Sequence, residues 1–147
     1  MHEKGYETRA LVHATAIQKN DPLVDTEIVW GDIQRESDHG DYLKGCDMVV
    51  HCAWSFVRTG DVDEYSQANI EPAISLMRAA YSQGITKFIT ISSVSVYGLE
   101  PKQNGMPFAE DDDFCSYTEA MDVYPRAKQL CETQMIAVAN ELRFPLT

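Results

Sequence analysis

Four short apolar runs, separated by stretches with helical spacing, constrain this chain most. The runs cover 7–13, 27–30, 47–52 and 87–92. The last two, Asp47-Met48-Val49-Val50-His51-Cys52 and Lys87-Phe88-Ile89-Thr90-Ile91-Ser92, are continuous and rich in β-branched residues, as strands covered on both faces are. Between the third and fourth, Ile70, Ala73, Ile74, Met77, Ala80 and Tyr81 recur on one face of a helix over about 63–82, which Gly84 ends. Pro72 removes one of its hydrogen bonds and is expected to bend it. Ala127, Leu130, Cys131, Met135, Val138 and Leu142 give a second long helix over about 124–142, with Pro125 in its first turn. A shorter helix covers about 35–44. Strands alternating with helices specify βαβ units, hence an α/β fold with a parallel sheet and right-handed crossovers.

The 147 residues amount to one domain. Twelve Lys+Arg against 23 Asp+Glu give a formal charge of −11, which disfavours nucleic acid and anionic membrane surfaces as partners. No apolar stretch approaches the roughly 20 residues that cross a bilayer. Met1-His2-Glu3-Lys4-Gly5 carries no signal-peptide core, so the expected location is cytoplasmic. The four cysteines, Cys46, Cys52, Cys115 and Cys131, form no Cys-x-x-Cys pair. His51 and Cys52 are adjacent on a strand and so point to opposite faces. All four cysteines read as reduced thiols, mostly packing residues, and no metal site is expected.

Three local patterns bear on chemistry. Ser92-Ser93-Val94-Ser95-Val96-Tyr97-Gly98 follows the fourth strand, at the carboxyl end where open α/β sheets bind ligands; its plain structural reading is a strand end whose hydroxyls bond local backbone. Tyr124-x-x-x-Lys128 puts a phenol and an ammonium on one helical face. An ammonium near a phenol stabilises the phenolate, which makes the pair a proton donor and acceptor near neutral pH; the plain reading is a surface contact. Asp47 to Trp54 ends a strand in small residues, where backbone can approach a cofactor, or else is a core strand followed by a loop, with His51 packed. Residues 99–122 lack a clear period and hold Pro101, Gly105, Pro107 and the run Glu110-Asp111-Asp112-Asp113; a loop of that length reads as a substrate lid or site wall.

Taken together and in this order, the patterns resemble the extended short-chain dehydrogenase/reductases, the NAD-dependent epimerase/dehydratase family. The resemblance runs from Glu3-Lys4-Gly5-Tyr6 to Pro145-Leu146-Thr147. It implies an adenine-contacting turn at Gly31-Asp32-Ile33, a segment under the cofactor phosphates and ribose at His51-Cys52-Ala53, and an Asn, Asn69, that orders the nicotinamide end. Ser93, Tyr124 and Lys128 match the family's catalytic Ser/Thr, Tyr and Lys. The implied chemistry is hydride transfer at a hydroxyl or carbonyl of a nucleotide-sugar or similar small substrate. Tyr124 takes the hydroxyl proton, Ser93 holds the substrate oxygen, and Lys128 holds the nicotinamide ribose. It also implies NAD or NADP as cofactor, and a homodimer through the helices near 63–82 and 124–142.

Three departures qualify the implication. Val94 and Ser95 stand where the family's sugar dehydratases carry an acidic pair, which disfavours dehydration and leaves epimerisation or simple oxidoreduction. His13 stands where an Asp would accept ribose hydroxyls or an Arg would meet a 2′-phosphate, so NAD and NADP both stay open. None of the glycines forms the Gly-x-x-Gly-x-x-Gly turn that receives the pyrophosphate. The expectation is therefore a partial dinucleotide-binding domain over 1–147. It is an incomplete Rossmann-like doubly wound parallel sheet, without its first strand or the substrate-binding lobe, and inactive as a fragment. Such a sheet consists of two strand pairs flanking a gap, or of halves closed by pairing 7–13 with 47–52. The competing reading is a non-catalytic dinucleotide-sensing or interaction module on the same scaffold.

Overall fold

The computed structural model describes residues 5–13, 26–56, 62–98, 105–115 and 123–147. Strand β1 (Thr8–Val12) pairs parallel with β2 (Thr26–Trp30), Thr8 opposite Thr26 and Val12 opposite Trp30. A 3-10 turn over Glu36–Asp38 runs into the short helix α1 (His39–Leu43). Strand β3 (Met48–His51) leads to helix α2 (Val62–Ser82) and then to β4 (Lys87–Thr90), parallel to β3 with Val49 opposite Phe88 and His51 opposite Thr90. A second 3-10 turn, Val94–Tyr97, follows β4, and helix α3 (Val123–Leu142) precedes the C-terminal residues. Leu146 bridges Phe88 in parallel, so the second pair gains the beginning of a third strand.

Among the described residues, the two strand pairs are separate sheets. Direct closure of β1 on β3 is not what forms; each keeps an edge unpaired by the other. Arg9 ties the first pair to the rest: its guanidinium bonds Glu27 at 2.8 Å and donates to the carbonyls of Tyr42 (3.2 Å) at the end of α1 and of Lys44 (2.6 Å) just after it.

The core lies where α2 and α3 pack together over one face of β3–β4. Val49, His51 and Phe88 share that face, and Ala73, Met77, Ala80, Ala127 and Met135 close over it with no exposed surface. The small side chains let the helices approach closely, and Phe88 and the two methionines fill the space between them. The opposite face, with Met48 exposed and Val50 and Ile89 half-buried, corrects the expectation that these strands are covered on both sides. The described helices form a layer on one side only.

The periodicity locates the buried face of α2 at Ile70, Ala73, Met77 and Ala80, with Leu76 added and Tyr81 turned outward. Pro72 does not break the helix. It does deprive the Ala68 carbonyl of its N–H partner four residues on, and the Gln34 side-chain amide supplies a replacement donor at 2.8 Å.

Candidate active site

The site is built where β3 and β4 end. Past β4 the ladder continues one step, with Ile91 N–H on the His51 carbonyl at 3.1 Å. Ser93 is extended and caps the 3-10 turn: its Oγ accepts the Ser95 N–H at 3.3 Å and lies 2.9 Å from Ser95 Oγ. Gly98 closes the turn at φ 112°, a conformation that side chains resist, with Cys115 packed against its Cα. Phe108 stacks on the Tyr97 ring at 5.6 Å and Phe114 leans on it at 6.0 Å. The described part of the long loop, 105–115, thus folds back onto this turn; the rest of 99–122 lies outside the described residues. Burial, followed by Glu132, Glu110, Asp112 and Asp111, raises the Tyr97 phenol above its ordinary value.

From the other side, α3 presents Tyr124 and Lys128 one turn apart. Lys128 is 7% exposed, and its ammonium donates to the Ile91 carbonyl at 2.8 Å. That ammonium lies 3.8 Å from the centre of the Trp54 ring and 6.0 Å from that of Tyr124. Burial lowers its pKa from the ordinary lysine value, against the charges of Cys131, Cys52 and Glu132. One turn further on, the Glu132 carboxylate accepts the Ser92 hydroxyl.

The segment after β3 completes the cluster. Ala53 is exposed. Trp54 donates its indole N–H to Tyr65 Oη at 2.8 Å and sets its ring edge-on to Tyr124 at 5.9 Å. Phe56, 72% exposed, stacks on the outer side of Tyr124 at 5.9 Å. Asn69 on α2 fixes this segment: its Oδ1 accepts Ser55 N–H at 2.7 Å, and its Nδ2 donates to the Tyr65 carbonyl at 3.0 Å. Beneath lies His51, stacked on Phe88 and depressed to about 4 by burial and then by the Lys128 charge. Cys131 beside it is pushed up to about 11 by burial, which makes it an unreactive packing thiol.

Asp32 and Ile33 lie apart from this cluster, after β2. Asp32 Oδ1 accepts Gln34 N–H at 2.9 Å, its Oδ2 is 3.9 Å from His13 Nε2, and its own N–H meets Tyr42 Oη at 3.3 Å. A methyl group on Gly31 would displace the hydroxyl end of Tyr42, which lies against the glycine. Buried His39 bonds the Ile33 carbonyl through Nε2 at 2.7 Å and Ser75 Oγ through Nδ1 at 3.3 Å, which ties the turn to α2.

Comparison with known proteins assigns the chain as a whole to one family. The NAD dependent epimerase/dehydratase family matches residues 1–147. The chain belongs to this family. It is 31% identical to the UDP-glucose 4-epimerase of Vibrio cholerae over 134 residues, covering 86% of this chain and 38% of that enzyme. The crystal structure of gox2253 superposes with a TM-score of 0.82 at 27% identity, over 99% of this chain and 43% of that one. The NAD complex of UDP-glucose 4-epimerase from Brucella ovis, at 20% identity, shares the fold with a TM-score of 0.76 over 99% of this chain and 44% of its own. The chain thus spans less than half the length of these relatives. The α/β class with parallel strands and the NAD-dependent family agree with the sequence reading.

Of the site residues expected from the sequence, Tyr124, Lys128 and Asn69 gather around the Trp54 segment. Ser93 joins them through the backbone, two residues beyond the carbonyl that receives the Lys128 ammonium. Asp32 and Ile33 sit on the other strand pair. Trp54, Tyr65, Phe56 and Glu132 went unassigned by motif. Glu132, four residues past Lys128, was legible from helical spacing; the aromatic cluster has no local signal, because its members are distant in sequence. Among the described residues, no helix is long and apolar enough to cross a membrane, and no three His, Cys, Asp or Glu residues group as a metal site.

Proposed function

We propose that this chain carries the proton-transfer side chains of an NAD-dependent epimerase or oxidoreductase acting on a nucleotide-sugar or similar small hydroxyl substrate. The carrying observation is the Tyr124–Lys128 pair on one face of α3, with the ammonium bonded to Ile91 just before Ser93. In this reading Tyr124 Oη takes the proton of the substrate hydroxyl. Ser93 Oγ, now hydrogen-bonded within its own turn, holds the substrate oxygen. Lys128 supplies positive charge beside the phenol and a donor to the nicotinamide ribose. Exposed Ala53 leaves room for the cofactor at the end of β3, and Asn69 keeps that segment in place. The turn at Asp32 and Ile33, fixed by His39 and Tyr42, suits the adenine end. When bound, NAD or NADP supplies the hydride acceptor.

The test is turnover of NAD(H) or NADP(H) with UDP-sugars, comparing the unaltered protein with Tyr124→Phe. The expected loss is about 100-fold to 10,000-fold, the usual worth of a positioned acid–base group. Equal, measurable rates for the two would reject the assignment, whereas the inactivity expected of a fragment without the glycine-rich turn gives no turnover in either. A second reading, a dinucleotide-binding module without turnover, is favoured by one feature: the Lys128 ammonium is already engaged by Ile91 and by the face of Trp54. Calorimetric binding of the cofactor without turnover would select it. The helices near 63–82 and 124–142 are the proposed contact of a homodimer in either case.

A further inference from the structure

We propose that Trp54 is the positioning residue for Lys128, holding the ammonium on its ring face and keeping it protonated inside the fold. This rests on the reading that the ammonium beside Tyr124 is the functional one, but it is tested without turnover.

The geometry is a chain of three contacts. Tyr65, buried on α2, accepts the indole N–H at 2.8 Å and so fixes the ring plane. The Lys128 nitrogen sits 3.8 Å above that ring, well within the range of about 6 Å over which the π face attracts a cation. Tyr124 meets the same ring by its edge at 5.9 Å and 81°, so one indole sets the positions of both α3 side chains.

The need for such a partner follows from burial. An ammonium has three protons to satisfy and loses most of its hydration at 7% exposure. Ile91 takes one proton, and among the described residues the Trp54 ring is the nearer of two aromatic faces, that of Tyr124 being 6.0 Å away. The titratable groups around it are His51 on β3, Cys52 after it, and Tyr124, Cys131 and Glu132 on α3. His51 is held neutral, and the Cys131 thiol is held protonated. Without the ring, burial would drive Lys128 further toward the neutral amine.

The experiment is an NMR titration of the Lys128 side chain in lysine-labelled protein, comparing the unaltered chain with Trp54→Leu and Trp54→Phe. Loss of the ring face is expected to lower the Lys128 midpoint by about half a pH unit or more in Trp54→Leu, and by less in Trp54→Phe, which keeps a weaker π face. If Trp54 is only a space-filling plug, water entering its place rehydrates the ammonium and the midpoint rises. An unchanged or raised midpoint therefore overturns the proposal. Should the leucine variant fail to fold, a second measurement decides. The chain has two tryptophans, so Trp30→Phe isolates Trp54 emission. That emission should titrate with the same midpoint as Lys128, and an emission blind to that transition overturns the proposal. Neither outcome depends on finding a substrate, so failure here is distinct from failure of the proposed activity.

Discussion

Removing His51 should make the fold resistant to mild acid. His51 is 6% exposed, beneath the Lys128 ammonium, and its pKa is lowered from 6.5 to about 4 by burial first and that charge second. Between those two values the unfolded chain binds the proton and the native state does not. Stability therefore falls as pH drops from about 6.5 toward 4, and the contribution is intact above that window. The full difference amounts to about 3.5 kcal/mol, of which about 2 kcal/mol is already lost at about pH 5. Urea denaturation of the unaltered protein and of His51→Leu, each at about pH 8 and about pH 5, isolates the term, because carboxylate titrations common to both cancel. The unaltered protein should lose about 2 kcal/mol more than the variant. Equal losses would refute the claim that His51 is buried neutral beside a positive charge.

Three further outcomes follow from particular contacts. Gln34→Ala should destabilise by about 0.5 kcal/mol, because the bond to the Ala68 carbonyl is exposed and water takes its place, and by less when Pro72→Ala restores the helical donor; a double-mutant cycle by urea denaturation reads the coupling. Ser66→Ala should stabilise the fold by about 1 kcal/mol, because Ser66 Oγ is buried without a hydrogen-bond partner among the described residues; thermal melts check it. Gly98→Ala should cost about 1–3 kcal/mol from its φ of 112°, the new methyl meeting Cys115 at ordinary contact distance, and a melt no lower than that of the parent would refute the strain.

Most of the scaffold was legible because its signals are local. The β-branched runs locate β3 and β4 to within a residue or two, and the spacing of Ile70, Ala73, Met77 and Ala80 sets α2. Tyr81 was misassigned because the buried arc leans toward Leu76; the tyrosine is exposed and meets Phe144 in an edge-to-face contact. The 3-10 turn after β4 was missed because a serine cap, not an apolar period, creates it. The Tyr124–Lys128 pair was legible from four-residue spacing. The indole that seats the ammonium was not, since it is recruited from the end of another strand by tertiary packing.

The bond from Gln34 to Ala68 has a mechanical consequence. Ala68 and Asn69 share one peptide unit, and Asn69 holds Ser55, the neighbour of Trp54. The turn after β2 and the segment after β3 are therefore anchored to the same rung of α2. A shift of either segment would load the same peptide unit of α2.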